Sequence, residues 1–306
     1  MTHGSLKPHF ADHGWYGRVT IEEIVPLARD TFRLRFACPE MARRFVPGQF
    51  LMIRLSGSAD PLLGRPMALY DTVFDAHGAP RAIDVVFLVV GKLTGKLAEM
   101  QAGDPLEVWG PLGNGFPAKR VDHLVMVAGG IGQTPFLALA QEYLGLRQYG
   151  APRRRVSPAK RITLCYGARS ANYLAGVEDF RQTGIDVEIS TDDGTAGHHG
   201  LVTDVLRRVL DRCQQPPHIV CCGPEPMLRA VAGISAKRRL PCQVSLETPM
   251  ACGLGICFSC VTRVRDDAGH WDYRRTCIDG PVFDARQIVF DDKPRAAGPE
   301  APPSSD

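Results

Sequence analysis

No apolar run in this chain approaches the ~18–20 residues that a membrane-crossing helix needs, which argues against a helical span. The amino-terminal stretch Met1-Thr-His-Gly-Ser-Leu-Lys-Pro8 has no apolar core of the kind a secretory signal carries. A surplus of one charge is also missing. Lys and Arg number 36 against 33 Asp and Glu, and a net charge of +3 is too small to point to nucleic acid. What remains is ordinary: 306 residues, 44% hydrophobic and 23% charged, a soluble globular composition long enough for two or three domains.

Cysteine is plentiful, at ten residues, in a chain with no secretory mark, so a reducing cytoplasm is the expected compartment. Six of the ten (Cys38, Cys165, Cys213, Cys221, Cys222 and Cys242) lie mostly within apolar, strand-like runs and read as small buried hydrophobes. The other four are different. Cys252, Cys257, Cys260 and Cys277 are spaced C-x4-C-x2-C-x16-C, and the opening of that pattern is the plant-type ferredoxin spacing for a [2Fe–2S] cluster. Gly253 and Gly255 suit such a loop, because they adopt backbone angles closed to other residues and let N–H groups approach sulfur. A structural zinc site usually shows two close cysteine pairs, and only Cys257 and Cys260 form one here. Cluster, zinc and unliganded thiols all remain open at this point, with the spacing favouring the first.

Between Gly17 and about Trp109 the chain reads as short strands broken by turns, among them 31–36, 50–54, 84–90 and 106–109. Such a series suggests a small closed antiparallel barrel. From Leu124 the pattern becomes strand and helix in alternation, with strands at 124–128, 161–166, 186–190 and 218–222. Helical runs fall near 136–146, 175–182 and 203–211. That alternation indicates a parallel, doubly wound α/β sheet. The Arg- and Pro-rich piece 150–160 reads as a surface loop with solvated charges. The expected organisation is a flexible extension over 1–14, a barrel domain over 15–118, a nucleotide-binding α/β domain over 119–241, a cluster module over 242–290 and a disordered tail over 291–306.

Two turns of the α/β half carry a nucleotide signal. Gly130-x-Gly132-x-x-Pro135 follows a buried strand, and its small residues leave room for a pyrophosphate. Thr134 is expected to cap the next helix, with Pro135 in its first position, so that free N–H groups face phosphate. Cys222-Gly223-Pro224 repeats the arrangement after a later strand. The plainer reading of each is a tight strand-to-helix turn, but two on one sheet edge favour a nucleotide crevice. Arg169 can meet either a 2′-phosphate or solvent, which leaves NAD and NADP undistinguished. In the barrel half, Arg65-Pro66 begins Arg65-Pro-Met-Ala-Leu-Tyr70. An arginine there can pair with a diphosphate through its planar fork, although an Arg-Pro pair is more often only a turn.

An Arg-Pro strand in a barrel, followed by a Gly-rich nucleotide sheet, resembles the ferredoxin–NADP reductase superfamily. The loop Met250–Cys260 and the ending Cys277-Ile-Asp-Gly-Pro-Val-Phe283 narrow this. They resemble the electron-transfer subunit of heteromeric, NAD-linked dihydroorotate dehydrogenase, over about residues 15 to 290. The resemblance implies a [2Fe–2S] cluster on Cys252, Cys257, Cys260 and Cys277. It implies FAD against Arg65, Pro66, Met67 and Ala68, against Val86, Phe87 and Leu88, and near Leu93 and Thr94. NAD+ would meet Gly130, Gly132, Thr134, Cys222, Gly223 and Pro224. Three positions depart from the family pattern. Ala68 replaces a serine, Leu88 stands where a polar or basic residue is common, and Leu93 replaces a glycine, so the backbone there is expected to keep further from phosphate.

The resemblance also implies a partner, an FMN-containing catalytic subunit in a heterotetramer of two of each chain. Electrons from dihydroorotate would cross to the cluster, then to FAD and NAD+, in the pathway to UMP. No catalytic acid or base is assigned in this chain, and no nucleic acid or membrane partner is expected. The alternative is a reductase subunit of the same superfamily that links NAD(P)H to ferredoxin, sulfur or a hydrogenase-type partner.

Overall fold

The computed structural model describes residues 14–290. The expected tail over 291–306, and all of the amino-terminal extension but its last residue, lie outside the described residues. Among the described residues no helix is long and apolar enough to cross a membrane.

The first half is a closed barrel. Its elements are β1 (Trp15–Ala28), β2 (Thr31–Ala37), α1 (Pro39–Ala42), β3 (Phe50–Leu55), β4 (Arg65–Phe74), β5 (Pro80–Leu88), α2 (Lys92–Ala98) and β6 (Pro105–Leu112). The strands close in the order β1-β2-β5-β4-β3-β6, every pair antiparallel. Alternation along β2 shows why. Leu34 and Phe36 are fully buried in the barrel, while Arg33 and Arg35 point out to Glu23 and Asp84. Strand β5 starts earlier and ends sooner than the run 84–90 predicts, because 80–83 pair with β2 and β4.

The second half is a seven-stranded sheet in the order β10-β9-β8-β7-β11-β12-β15, the last strand being Val282–Asp284. Its elements are β7 (His123–Gly129), α3 (Phe136–Tyr143), β8 (Arg161–Ala168), α4 (Val177–Gln182), β9 (Asp186–Thr191), β10 (His198–His199), α5 (Val202–Asp211), β11 (His218–Cys222), α6 (Glu225–Lys237) and β12 (Cys242–Ser245). Residues 124–128 of β7 are at most 1% exposed, since α3 and α4 cover one face of the sheet and α5 and α6 the other. Strand order reverses between β7 and β11, and ligands in such sheets collect at that switch point. Helix α3 stops at Tyr143, short of the predicted 146, where Gly145 turns into the left-handed region.

The cysteine loop leaves β12, and a hairpin of β13 (Val261–Arg265) and β14 (Trp271–Arg275) follows it. The chain then returns as β15 (Val282–Asp284), antiparallel to β12. The loop is thus bracketed by two neighbouring strands of the large sheet, which extends beyond residue 241.

One surface expectation is corrected. Arg154, in the stretch read as solvated, binds the buried Glu142 through two bonds of 2.7 and 2.5 Å and the Phe116 carbonyl at 2.6 Å. Burial raises the Glu142 pKa, and the Arg154 hydrogen bonds work against that rise. The arginine joins the segment after the barrel to α3 rather than facing water.

Candidate functional site

A cleft of about 980 Å³ opens where barrel, sheet and cysteine loop meet. The barrel contributes Arg65, Pro66, Met67 and Ala68 from the start of β4, and Val86, Phe87 and Leu88 from the end of β5. Leu93 and Thr94 line it from α2. The sheet contributes Thr134 and Cys222, and the cysteine loop contributes Met250, Ala251 and Ser259. Residues from three distant stretches therefore share one cavity. Gly130, Gly132, Gly223 and Pro224 are not in its lining.

Arg65 is exposed, and its Nη1 donates to the carbonyls of Leu63 and Gly64 at 3.2 and 3.0 Å. Among the described residues no carboxylate pairs with it, so its charge is available to an anionic ligand. Thr94 orders the turn beside it. Its hydroxyl accepts from the N–H groups of Val90 and Gly91 at 3.0 and 3.1 Å and donates to the Gly91 carbonyl at 3.0 Å. Leu93 is 2% exposed and belongs to the barrel core, so the side chain that replaces a glycine is absorbed by packing. Phe87 stacks on Phe32 with ring centroids 5.7 Å apart, which fixes the end of β5.

The two glycine turns pack on each other. A Cβ on Gly132 would lie 2.3 Å from the Cys222 carbonyl oxygen, and one on Gly223 would lie 3.0 Å from the Gly129 nitrogen. Glycine at 132 is thus required by turn-to-turn contact, a reason distinct from room for phosphate. Gly130 takes φ +55° with open space around it. The capping expectation for Thr134 fails. Residues 130–133 form a 3₁₀ turn, Thr134 is already helical, and Pro135 occupies the cap position of α3 with no side-chain hydrogen bond there. The turn runs straight into the helix, so no separate cap is formed.

The cysteine loop is tied to the barrel. Trp109 Nε1 donates to the Cys252 carbonyl at 2.8 Å. Gly253, at φ +71°, lies so close to Met52 and Leu112 that a Cβ would come within 2.7 Å of Met52. Phe50, Met52, Leu112, Met250, Cys260 and Cys277 form one small apolar cluster. Two of the sulfurs lie close together. Those of Cys260 and Cys277 are 3.2 Å apart, and the Cys252 side chain is one of the groups that lower the Cys257 pKa. Among the described residues the four sulfurs do not converge on a single-ion position. The Ser259 hydroxyl and N–H bring the Cys257 thiol down to about 6, while burial pushes Cys277 up to about 12. The Leu254 N–H lies 3.3 Å from the Cys252 sulfur, and the fully buried Thr276 hydroxyl lacks a partner beside Cys277. Four cysteines gathered on one loop and its return segment, with an N–H donor at the Cys252 sulfur, fit a binuclear iron–sulfur cluster, which takes two cysteines on each iron.

Comparison with known proteins agrees. Residues 247–289 match the iron–sulfur cluster binding domain of dihydroorotate dehydrogenase B, and residues 126–233 match the oxidoreductase NAD-binding domain. The electron transfer subunit of dihydroorotate dehydrogenase B (NAD(+)) from Shouchella clausii is 36% identical over 90% of this chain and 98% of its own. The corresponding subunit from Caldanaerobacter subterraneus is 36% identical over 80% of this chain and 87% of its own. This chain belongs to that family of electron transfer subunits.

Among solved structures, the NADH-dependent reduced ferredoxin–NADP oxidoreductase studied for flavin-based electron bifurcation is similar, at 26% identity and TM-score 0.73, with 89% of each chain covered. The ferredoxin reductase of carbazole 1,9a-dioxygenase shares the fold, at 18% identity and TM-score 0.62 over 74% of this chain and 67% of its own. The cofactors of the family member described here are a [2Fe–2S] cluster, FAD and NAD+.

Two residues at the site, Glu247 and Trp109, carry little sequence signal. Glu247 lines the cleft and is exposed. Its signal is a lone acid between a buried strand and the cysteine loop. Trp109 reads in sequence only as the end of a strand.

Proposed function

We propose that this chain carries electrons between an FMN-containing dihydroorotate dehydrogenase catalytic subunit and NAD+, in the cytoplasmic pathway to UMP, within a heterotetramer of two of each chain. The observation that carries this reading is the shared wall. Met250 and Ala251, just before Cys252, and Ser259, just before Cys260, line the same cleft as Arg65, Pro66, Met67 and Ala68 of β4 and Val86, Phe87 and Leu88 of β5.

When bound, the cluster passes single electrons and the flavin converts them to the pair that nicotinamide takes up. The chain's own residues supply position. Arg65 offers an unpaired cation to the FAD diphosphate, and Thr94 fixes the neighbouring turn. The packed turns after β7 and β11 offer the dinucleotide a site at the switch point. Trp109, Met52 and Leu112 hold the cysteine loop on the barrel. On the other side of the loop, Ile256 and Phe258 are 76% and 63% exposed beside the exposed Cys257, an apolar surface suited to the partner subunit.

Co-expression with the catalytic subunit tests the proposal. Expected is a complex that reduces NAD+ in a dihydroorotate-dependent manner. A chain that binds no such subunit and co-purifies with another redox enzyme would contradict it.

A further inference from the structure

The side chain of Arg275 reaches into the cysteine loop from the hairpin that follows it. Its Nη1 donates to the Gly255 carbonyl at 2.6 Å, and its guanidinium carbon lies 4.9 Å from the centre of the Phe258 ring. Gly255 and Phe258 stand on either side of Cys257 in the chain. The backbone of Arg275 is held as firmly. Its N–H donates to Asp279 Oδ2 at 2.9 Å, and its carbonyl accepts from the N–H groups of Ile278 and Asp279 at 3.0 and 2.8 Å. Across the hairpin it pairs with Val261, which follows Cys260, and Cys277 comes two residues later. One residue therefore links the segments that carry Cys257, Cys260 and Cys277.

The contact with Phe258 has a second meaning. Phe258 takes φ +57°, a region that a bulky side chain avoids unless its surroundings hold it there. The residue is 63% exposed, so the apolar core does not hold it. The guanidinium against the ring and the bond to Gly255 help to hold it, beside the neighbouring Ser259 hydroxyl, which accepts from the Ala251 N–H at 3.1 Å. The same guanidinium brings a positive charge to the loop, and an arginine keeps that charge at any pH at which the protein works. A neighbouring arginine, Arg274, is exposed and faces Asp272 at 3.7 Å, away from these contacts.

We propose that Arg275 is a positioning residue for the cluster and raises its reduction potential, by clamping the loop around Cys257 and by placing a fixed cation beside it. The assignment rests on the reading of the four cysteines as a [2Fe–2S] site. A thiolate-bound cluster is anionic and gains a further negative charge on reduction. A nearby cation therefore favours the reduced form, and net charge is one of the properties that set such potentials.

The test uses the full chain prepared anaerobically, as wild type, Arg275→Gln and Arg275→Lys. Iron and acid-labile sulfide are assayed, and the cluster potential is read by a redox titration followed by electron paramagnetic resonance. The expected result is a more negative potential for Arg275→Gln. Arg275→Lys should keep the wild-type potential but lose iron to a chelator several-fold faster, because lysine keeps the charge without the planar fork. An unchanged potential in a fully loaded Arg275→Gln would overturn the proposal, as would an equal drop in both variants. Should Arg275→Gln retain no cluster, the lysine variant decides. A loaded cluster at the wild-type potential supports the role, and an empty site overturns it. Wild-type protein without iron or sulfide is a separate result, since it removes the cluster reading itself.

Discussion

Trp109 Nε1 donates to the carbonyl of Cys252 at 2.8 Å, joining a barrel strand to the cysteine loop across 143 positions of sequence. The bond places the first cysteine of the loop against the barrel that shapes the flavin cleft. Trp109→Phe keeps an aromatic ring but leaves that carbonyl without its donor, at a cost of about 1–3 kcal/mol if it stays buried. The cost falls on the loop rather than on the barrel. Iron release to a chelator, followed by loss of visible absorption, should be several-fold faster than in wild type, with flavin content unchanged. An unaltered release rate would show that the bond does not hold the loop.

Gly132→Ala tests the packing of the two nucleotide turns. The added Cβ would meet the Cys222 carbonyl oxygen at 2.3 Å, so the turns must move apart. Overpacking of this kind costs about 1–3 kcal/mol. Weaker NADH binding, by about tenfold for each 1.4 kcal/mol, is expected, with iron and FAD content retained. Wild-type NADH affinity would mean that turn-to-turn contact does not shape the dinucleotide site.

Arg65→Ala addresses the flavin. The side chain is exposed and makes only local carbonyl contacts, so the fold should tolerate its loss. A hydrogen bond to a charged group contributes about 1.5–3 kcal/mol, and FAD retention should fall accordingly. Equilibrium dialysis of the flavin measures this, and full retention would remove Arg65 from the site.

Asp71 supplies a pH test. Burial raises its carboxyl pKa, opposed by Gln141 at 2.9 Å, the Thr72 N–H at 2.8 Å and the Tyr149 hydroxyl at 3.0 Å. These contacts join β4 of the barrel to α3 and to the loop that follows it. A carboxyl raised on folding stabilises the protein most when protonated. That contribution is full below the ordinary aspartate value of about 3.9 and is lost as pH rises through the folded-state value. Asp71→Asn should lack this decline, so urea midpoints of the two proteins should converge in acid and separate toward neutral pH, after any constant offset is subtracted. Parallel profiles would contradict it.

Much of this was legible in sequence because its signals are local. The cysteine spacing, the alternation along β2 and the continuous apolar run of β7 each depend on neighbours within a few residues. The relation of Trp109 to Cys252, the placement of Glu247 in the cleft and the Asp71 network depend on pairs far apart in the chain, which no periodicity encodes. Arg154 misled for the same reason: an arginine in a polar stretch reads as solvated until Glu142 and Phe116 are brought to it by the fold. At Thr134 the fingerprint suggested a capped helix, and the chain instead continued its 3₁₀ turn into α3.

The central claim is that the cysteine loop forms a wall of the flavin cleft, so that electrons cross between cluster and flavin inside this chain. Its most direct test is an anaerobic titration of the purified chain with NADH, followed by flavin absorbance and by electron paramagnetic resonance. The account predicts that the signal of a reduced [2Fe–2S] cluster grows as the flavin bleaches. Flavin that bleaches fully while an intact cluster stays oxidised would contradict it.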